Sequence, residues 1–108
     1  DLSDYVLTSP SLAEIAESLN VDILIYDYSG YGASSGLASE TSLFADVEAV
    51  YQHLTTVRKV DPQKIVVYGH SIGTAAAISL MSEMKPPVAG LILLAPLASM
   101  LRVLLWKR

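Results

Sequence analysis

The sequence predicts an α/β fold, a parallel sheet with flanking helices. Three observations carry the prediction. Three apolar runs, VDILIYDY (21–28), KIVVYG (64–69) and VAGLILLA (88–95), are rich in β-branched, aliphatic or aromatic residues and do not alternate cleanly with polar ones. That is the pattern of strands covered on both faces. The segments between them carry apolar residues at helical spacing. The resulting alternation of helix and strand is the signature of βαβ units, whose crossovers are right-handed and place helices on the sheet faces.

The elements follow in order. TSPSLAEIAESLN (8–20) offers Ser9 as an N-cap and Pro10 at the first helical position, and Leu12, Ile15, Ala16 and Leu19 then fall on one face. The run 21–28 is the first strand, followed by SGYGASSG (29–36), a glycine- and serine-rich loop. In TSLFADVEAVYQHLTTV (41–57), Leu43, Val47, Val50, Tyr51, Leu54 and Val57 keep helical spacing until Lys59, Asp61 and Pro62 break it. KIVVYG is the second strand. SIGTAAAISLMSEM (71–84) is a helix of small apolar residues that can pack closely, stopped by Pro86 and Pro87. VAGLILLA is the third strand, and PLASMLRVLLWKR (96–108) leads through a loop into another helix.

Composition bounds the rest. Apolar residues make up 52% of the 108 positions, and mean hydropathy is +0.43, against an ordinary apolar share of roughly 45–50%. A three-stranded parallel sheet also leaves two open edges. Both points predict that neighbours cover part of the chain or that residues 1–108 are an excerpt of something larger. Net charge is −4 and there is no Lys/Arg run, which excludes nucleic acid as an expected partner. The absence of cysteine rules out disulfides, thiolate metal sites and a cysteine nucleophile. Two stretches without charge, 65–82 and 86–101, are broken by Gly, Pro and polar residues and do not read as membrane spans. The opening DLSDY lacks the basic start and apolar stretch of a secretion signal. No cofactor or metal site is expected.

One motif carries chemistry. Gly69-His70-Ser71-Ile72-Gly73 matches G-x-S-x-G between an apolar strand and a helix of small residues. That spacing serves a sharp strand-to-helix turn: the serine backbone is strained, and glycines on either side let strand and helix approach. The turn lifts the Ser71 hydroxyl for nucleophilic attack. It also sets the Ile72 backbone N–H, at a positive helix end, to meet an oxyanion. The bland alternative is a serine that merely caps its helix. His70 adjoins Ser71, but adjacent residues at such a turn point in different directions, so it reads as a packing or hydrogen-bonding residue. His53, among Gln52, Thr55 and Thr56 on a helix, reads as solvated or at an interface. The glycine loop is a poor dinucleotide fingerprint. Its third glycine, Gly36, comes one residue late, and Leu37, Ala38 and Ser39 separate it from the helix.

Three stretches, IYDYSGYGASSG (25–36), VVYGHSIGTAAAISL (66–80) and LILLAPLAS (91–99), together resemble the central part of an α/β-hydrolase. The phrase YDYSGYGASSG, followed by FADVEAVYQHL and YGHSIGT, is similar to one branch, that of the alpha/beta hydrolase domain-containing protein 17 type of protein depalmitoylases. The resemblance implies that 21–28, 64–69 and 88–95 are strands 4 to 6 of a partial α/β-hydrolase core. It implies Ser71 as the nucleophile, Ile72 as the second oxyanion donor, and Gly69 and Gly73 as the elbow glycines. It further implies a serine hydrolase acting on ester or thioester bonds, with S-acylated (palmitoylated) proteins or small esters as substrates. Location would be cytoplasmic or at the cytoplasmic face of membranes, with membrane association through segments outside this sequence. The first oxyanion donor would precede Asp1, and the acid and histidine would follow Arg108, since the triad runs Ser, then Asp/Glu, then His. Within the sequence no histidine follows Ser71, and Glu83 is the sole acidic residue after it. The tail MLRVLLWKR departs from the family pattern. Two other readings stay open: a truncated, non-catalytic hydrolase-like module, and, last, a nucleotide-binding α/β module using the glycine loop.

Overall fold

The computed structural model describes residues 11–94. The chain divides into two compact units on either side of the Ser42–Leu43 bond.

In the first unit, helix α1 spans Leu12–Leu19. Its N-cap is Ser11, whose Oγ accepts a hydrogen bond from the Glu14 N–H at 3.0 Å. Ser11 and Glu14 thus stand in the S-x-x-E spacing that marks a helix start. The expected Ser9 and Pro10 lie outside the described residues. Asn20 closes the helix in the left-handed conformation, its N–H bonded to the Ala16 and Glu17 carbonyls, as short polar residues can. Leu12 and Ala16 line one side of an open groove with Val21, Ile23 and Ile25. Ile15 and Leu19, expected on the same buried face, remain exposed.

Residues 21–28 form no strand among the described residues, which corrects the expectation of a buried one. Their composition suits a pleated, covered surface, but a strand exists only through ladder bonds to a neighbour, and this run has no ladder partner. Val21, Ile23, Leu24 and Ile25 are accordingly exposed.

The second unit is built around a βαβ unit. Helix α2, Glu40–Gln52, begins three residues before the boundary, and its buried residues Leu43 and Val47, one turn apart, lie in the second unit. Its start is held by two serines in reciprocal bonds, Ser42 N–H to Ser39 Oγ and Ser39 N–H to Ser42 Oγ, each 3.0 Å. It then widens into a π turn over His53–Val57, where the Arg58 N–H reaches the His53 carbonyl five residues back. Thr55 and Thr56 hydroxyls donate to the Tyr51 and Gln52 carbonyls in this turn. The added residue per turn rotates Val57 outward, so it is exposed rather than on the apolar face that its spacing predicts. A short 3₁₀ turn, Pro62–Lys64, is capped by the Asp61 carboxylate.

Strand β1 is Val66–His70, helix α3 is Ile72–Glu83 and strand β2 is Gly90–Leu94. The two strands pair in parallel, from Val66 opposite Gly90 to His70 opposite Leu94. Helix α3 packs on both strands through Gly73, Thr74, Ala76, Ala77 and Leu80, which are buried and share a face by their three- and four-residue spacing. The opposite sheet face carries residues that stay half exposed. Val66, Tyr68, Ile92 and Leu94, which alternation places on it, are each about half exposed, at 53, 52, 51 and 52%. The expectation of strands covered on both faces therefore fails on this side and holds only in part on the α3 side, where Leu91 is exposed, because apolar composition states what a residue can bury rather than what lies against it. The predicted helix in 96–108 lies outside the described residues.

Candidate active site

The turn from β1 into α3 holds every residue that the motif singled out. Gly69 is buried at the penultimate position of β1. A Cβ built there would lie 2.6 Å from the Gly73 carbonyl oxygen and 2.9 Å from the Thr74 Cα. Those atoms are backbone, so the strand and the first turn of α3 meet at a distance that any side chain at Gly69 would forbid. Gly73, also buried, supplies the other half of that contact.

Ser71 sits between them with φ 54° and ψ −113°. Positive φ is rare for a residue with a side chain and is held only where the surroundings over-determine it. The surroundings are on view. The Ser71 N–H donates to the Leu94 carbonyl of β2 at 3.0 Å. The Ser71 carbonyl accepts from the Thr74 N–H at 3.0 Å and from the Thr74 hydroxyl at 2.6 Å. Both sides of the residue are pinned, one by the neighbouring strand and one by the helix.

Ser71 is the N-cap of α3 by position, yet its side chain makes no capping hydrogen bond. A serine kept for capping would accept from an N–H of the first turn. Its residue is exposed, as is Ile72. The Ile72 N–H, at the first helical position, has no carbonyl one turn back within the helix to receive it, and no acidic side chain occupies the first turn. No charge within that turn offsets the positive helix end. Together these features present a hydroxyl and a backbone donor at one exposed point, an arrangement able to attack a carbonyl and hold the charge that develops on its oxygen.

His70 ends β1 and is exposed. Gly69 faces α3, so alternation sends His70 to the other face with Tyr68, and no hydrogen bond joins it to Ser71 among the described residues. His53 is exposed in the π turn. Glu83 lies at the far end of α3, about 18 Å from Ser71 for a twelve-residue helix at 1.5 Å rise. Sequence reasoning missed Thr74 and Leu94. Thr74 could have been noticed as the first hydroxyl after the elbow, set among small apolar residues. Leu94 contributes a carbonyl, which leaves no mark in a sequence.

The glycine loop is filled from within. The Asp27 carboxylate accepts from the Ala33 N–H at 3.1 Å and presses on the position that a Gly32 Cβ would take. The Ser34 hydroxyl donates to the Asp27 carbonyl at 2.7 Å. The N–H groups of Gly30, Tyr31 and Ser34 go to the carbonyls of Ser35, Tyr28 and Tyr31. A phosphate cradle needs such N–H groups free and no carboxylate among them, so this geometry disfavours the nucleotide-binding reading. No group of His, Asp or Glu able to hold a metal occurs among the described residues, and no described helix is long and apolar enough to cross a membrane.

The chain is similar to known proteins over most of its length. It is 46% identical over 89 residues to alpha/beta hydrolase domain-containing protein 17C of Homo sapiens, covering 82% of this chain and 26% of that protein. It is 48% identical over 85 residues to the Xenopus tropicalis protein 17C, covering 79% of this chain and 27% of that one. It is 42% identical over 89 residues to protein 17B of Homo sapiens, covering 82% of this chain and 30% of the relative. The chain thus spans under a third of the length of the curated relatives it matches. No solved structure matches it. The family model described as serine aminopeptidase, S33, matches residues 5–106, and with that match the chain belongs to this family of α/β-hydrolases.

Proposed function

We propose that this chain is the nucleophile-bearing core of a serine hydrolase that cleaves ester or thioester bonds, with Ser71 as nucleophile and the Ile72 N–H as one oxyanion donor. The observation that supports it most is the Ser71 backbone: φ 54° and ψ −113° on a residue with a side chain, between strand and helix, with no capping bond to account for it. Family membership favours the same reading.

In this mechanism a base takes the Ser71 proton as Oγ attacks the acyl carbonyl. The oxyanion settles against the Ile72 N–H, and the leaving thiolate or alkoxide receives the proton as the carbonyl re-forms. Water, deprotonated by the same base, then attacks the acyl carbonyl, the bond to Ser71 Oγ breaks, and the proton returns to Oγ as the carboxylic acid leaves. The base and acid come from protein outside residues 1–108. No histidine follows Ser71, and Glu83 is a helix length away. The first oxyanion donor likewise belongs outside. Resemblance to the protein 17 branch favours S-acylated, palmitoylated proteins as substrates, and a place at the cytoplasmic face of membranes.

The test is hydrolysis of a palmitoyl-thioester peptide by the intact protein. Turnover by wild type, abolished in Ser71→Ala, is the expected result; equal turnover by both removes Ser71 from the mechanism. The isolated 108-residue chain is expected to be inactive on the same substrate, because it contributes the nucleophile without its base.

A further inference from the structure

Thr74 holds a position that ordinary packing does not explain. Its residue is fully buried, at 0% exposure, amid Gly73, Ala76 and Ala77. Burying a hydroxyl is costly unless it is bonded, and this one donates to the Ser71 carbonyl at 2.6 Å. Threonine within a helix commonly bonds the carbonyl three or four residues back. Here the acceptor is the carbonyl of the residue with the strained backbone.

That carbonyl shares a rigid, planar peptide unit with the Ile72 N–H. In a trans peptide the C=O and N–H point in opposite directions, so fixing one fixes the other. The Thr74 N–H and hydroxyl draw the Ser71 oxygen into the first turn of α3, and the Ile72 N–H is thereby aimed out of the helix end. The Leu94 carbonyl fixes the other peptide of Ser71. We infer that Thr74 is a positioning residue: its hydroxyl sets the direction of the Ile72 N–H, and so the strength of oxyanion stabilisation. The inference rests on Ser71 and Ile72 having the roles proposed above.

Removing an oxyanion donor outright costs about 10²–10³ in kcat, and letting one drift costs less. Thr74→Ala and Thr74→Ser differ by one oxygen atom and lack the same methyl group, so their comparison isolates the hydroxyl even where Thr74→Val fails to fold. The experiment measures kcat and KM of the intact protein and these variants on a short-chain p-nitrophenyl ester, with thermal unfolding alongside. Thr74→Ala and Thr74→Val should lose on the order of tenfold in kcat with KM unchanged, while Thr74→Ser stays within about twofold of wild type. Equal kcat for Thr74→Ala and Thr74→Ser, whether both high or both low, overturns the inference and leaves Thr74 a packing residue. Fluorophosphonate labelling separates the two levels of the argument. Wild type labelled at Ser71 with insensitive Thr74 variants removes this inference alone; unlabelled wild type removes the proposed function with it.

Discussion

Gly69 and Gly73 meet backbone to backbone: a Cβ on Gly69 would lie 2.6 Å from the Gly73 carbonyl oxygen. This contact brings β1 and α3 close enough for Ser71 to occupy the turn between them. Gly69→Ala must push strand from helix, at a cost of about 1–3 kcal/mol by the measure of overpacked cores. Gly90 on β2 has nothing within 4 Å of its would-be Cβ, so Gly90→Ala should stay within about 0.5 kcal/mol of wild type. Chemical denaturation of the two variants checks the contrast.

Strain at Ser71 predicts a trade between stability and function. Ser71→Ala and Ser71→Gly both remove the nucleophile, but only glycine adopts φ 54° and ψ −113° without cost. Strain of this kind is on the order of 1–3 kcal/mol, offset by roughly 0.5–1 kcal/mol of added freedom in the unfolded chain. Ser71→Gly should therefore melt at a higher temperature than Ser71→Ala. Equal melting temperatures would show a turn that holds serine without strain.

The Asp27 carboxylate ties the glycine loop through the Ala33 N–H. Asp27→Ala removes that acceptor and the contact over Gly32, a loss of about 1 kcal/mol, or fivefold in loop opening. Chymotrypsin should cut after Tyr28 or Tyr31 about fivefold faster in this variant, and an unchanged rate contradicts the clasp.

Burial pushes the Tyr28 hydroxyl above the ordinary tyrosine value of 10.0. The folded state thus prefers the neutral phenol. Its contribution to stability is present below the unfolded value and is lost as pH rises through the folded one. Absorbance titration should find one tyrosine ionising late, and Tyr28→Phe should remove that component and flatten the alkaline loss of stability.

The βαβ unit and the elbow were legible because their signals are local. The β-branched strand 65–67, the glycines at 69 and 73 and the small-residue helix each state their own conformation. Boundaries moved by a residue or two, as caps such as Ser11 decided them. Residues 21–28 were misjudged because a strand needs a partner, and an apolar run carries no record of who pairs with it. Val57 was misjudged because the π turn depends on where the Thr55 and Thr56 hydroxyls bond. At the site, Ser71 was visible as a motif. The bonds that hold its backbone, from Leu94 and Thr74, arise from strand register and burial, which no spacing rule encodes.

The most direct test of the central claim is covalent. The intact protein is treated with a fluorophosphonate probe and the modified residue is located by peptide mass spectrometry. One adduct on Ser71, absent after heat unfolding and in Ser71→Ala, is the result predicted for an activated nucleophile. A folded protein that takes no label at Ser71, or labels equally at other serines, contradicts it.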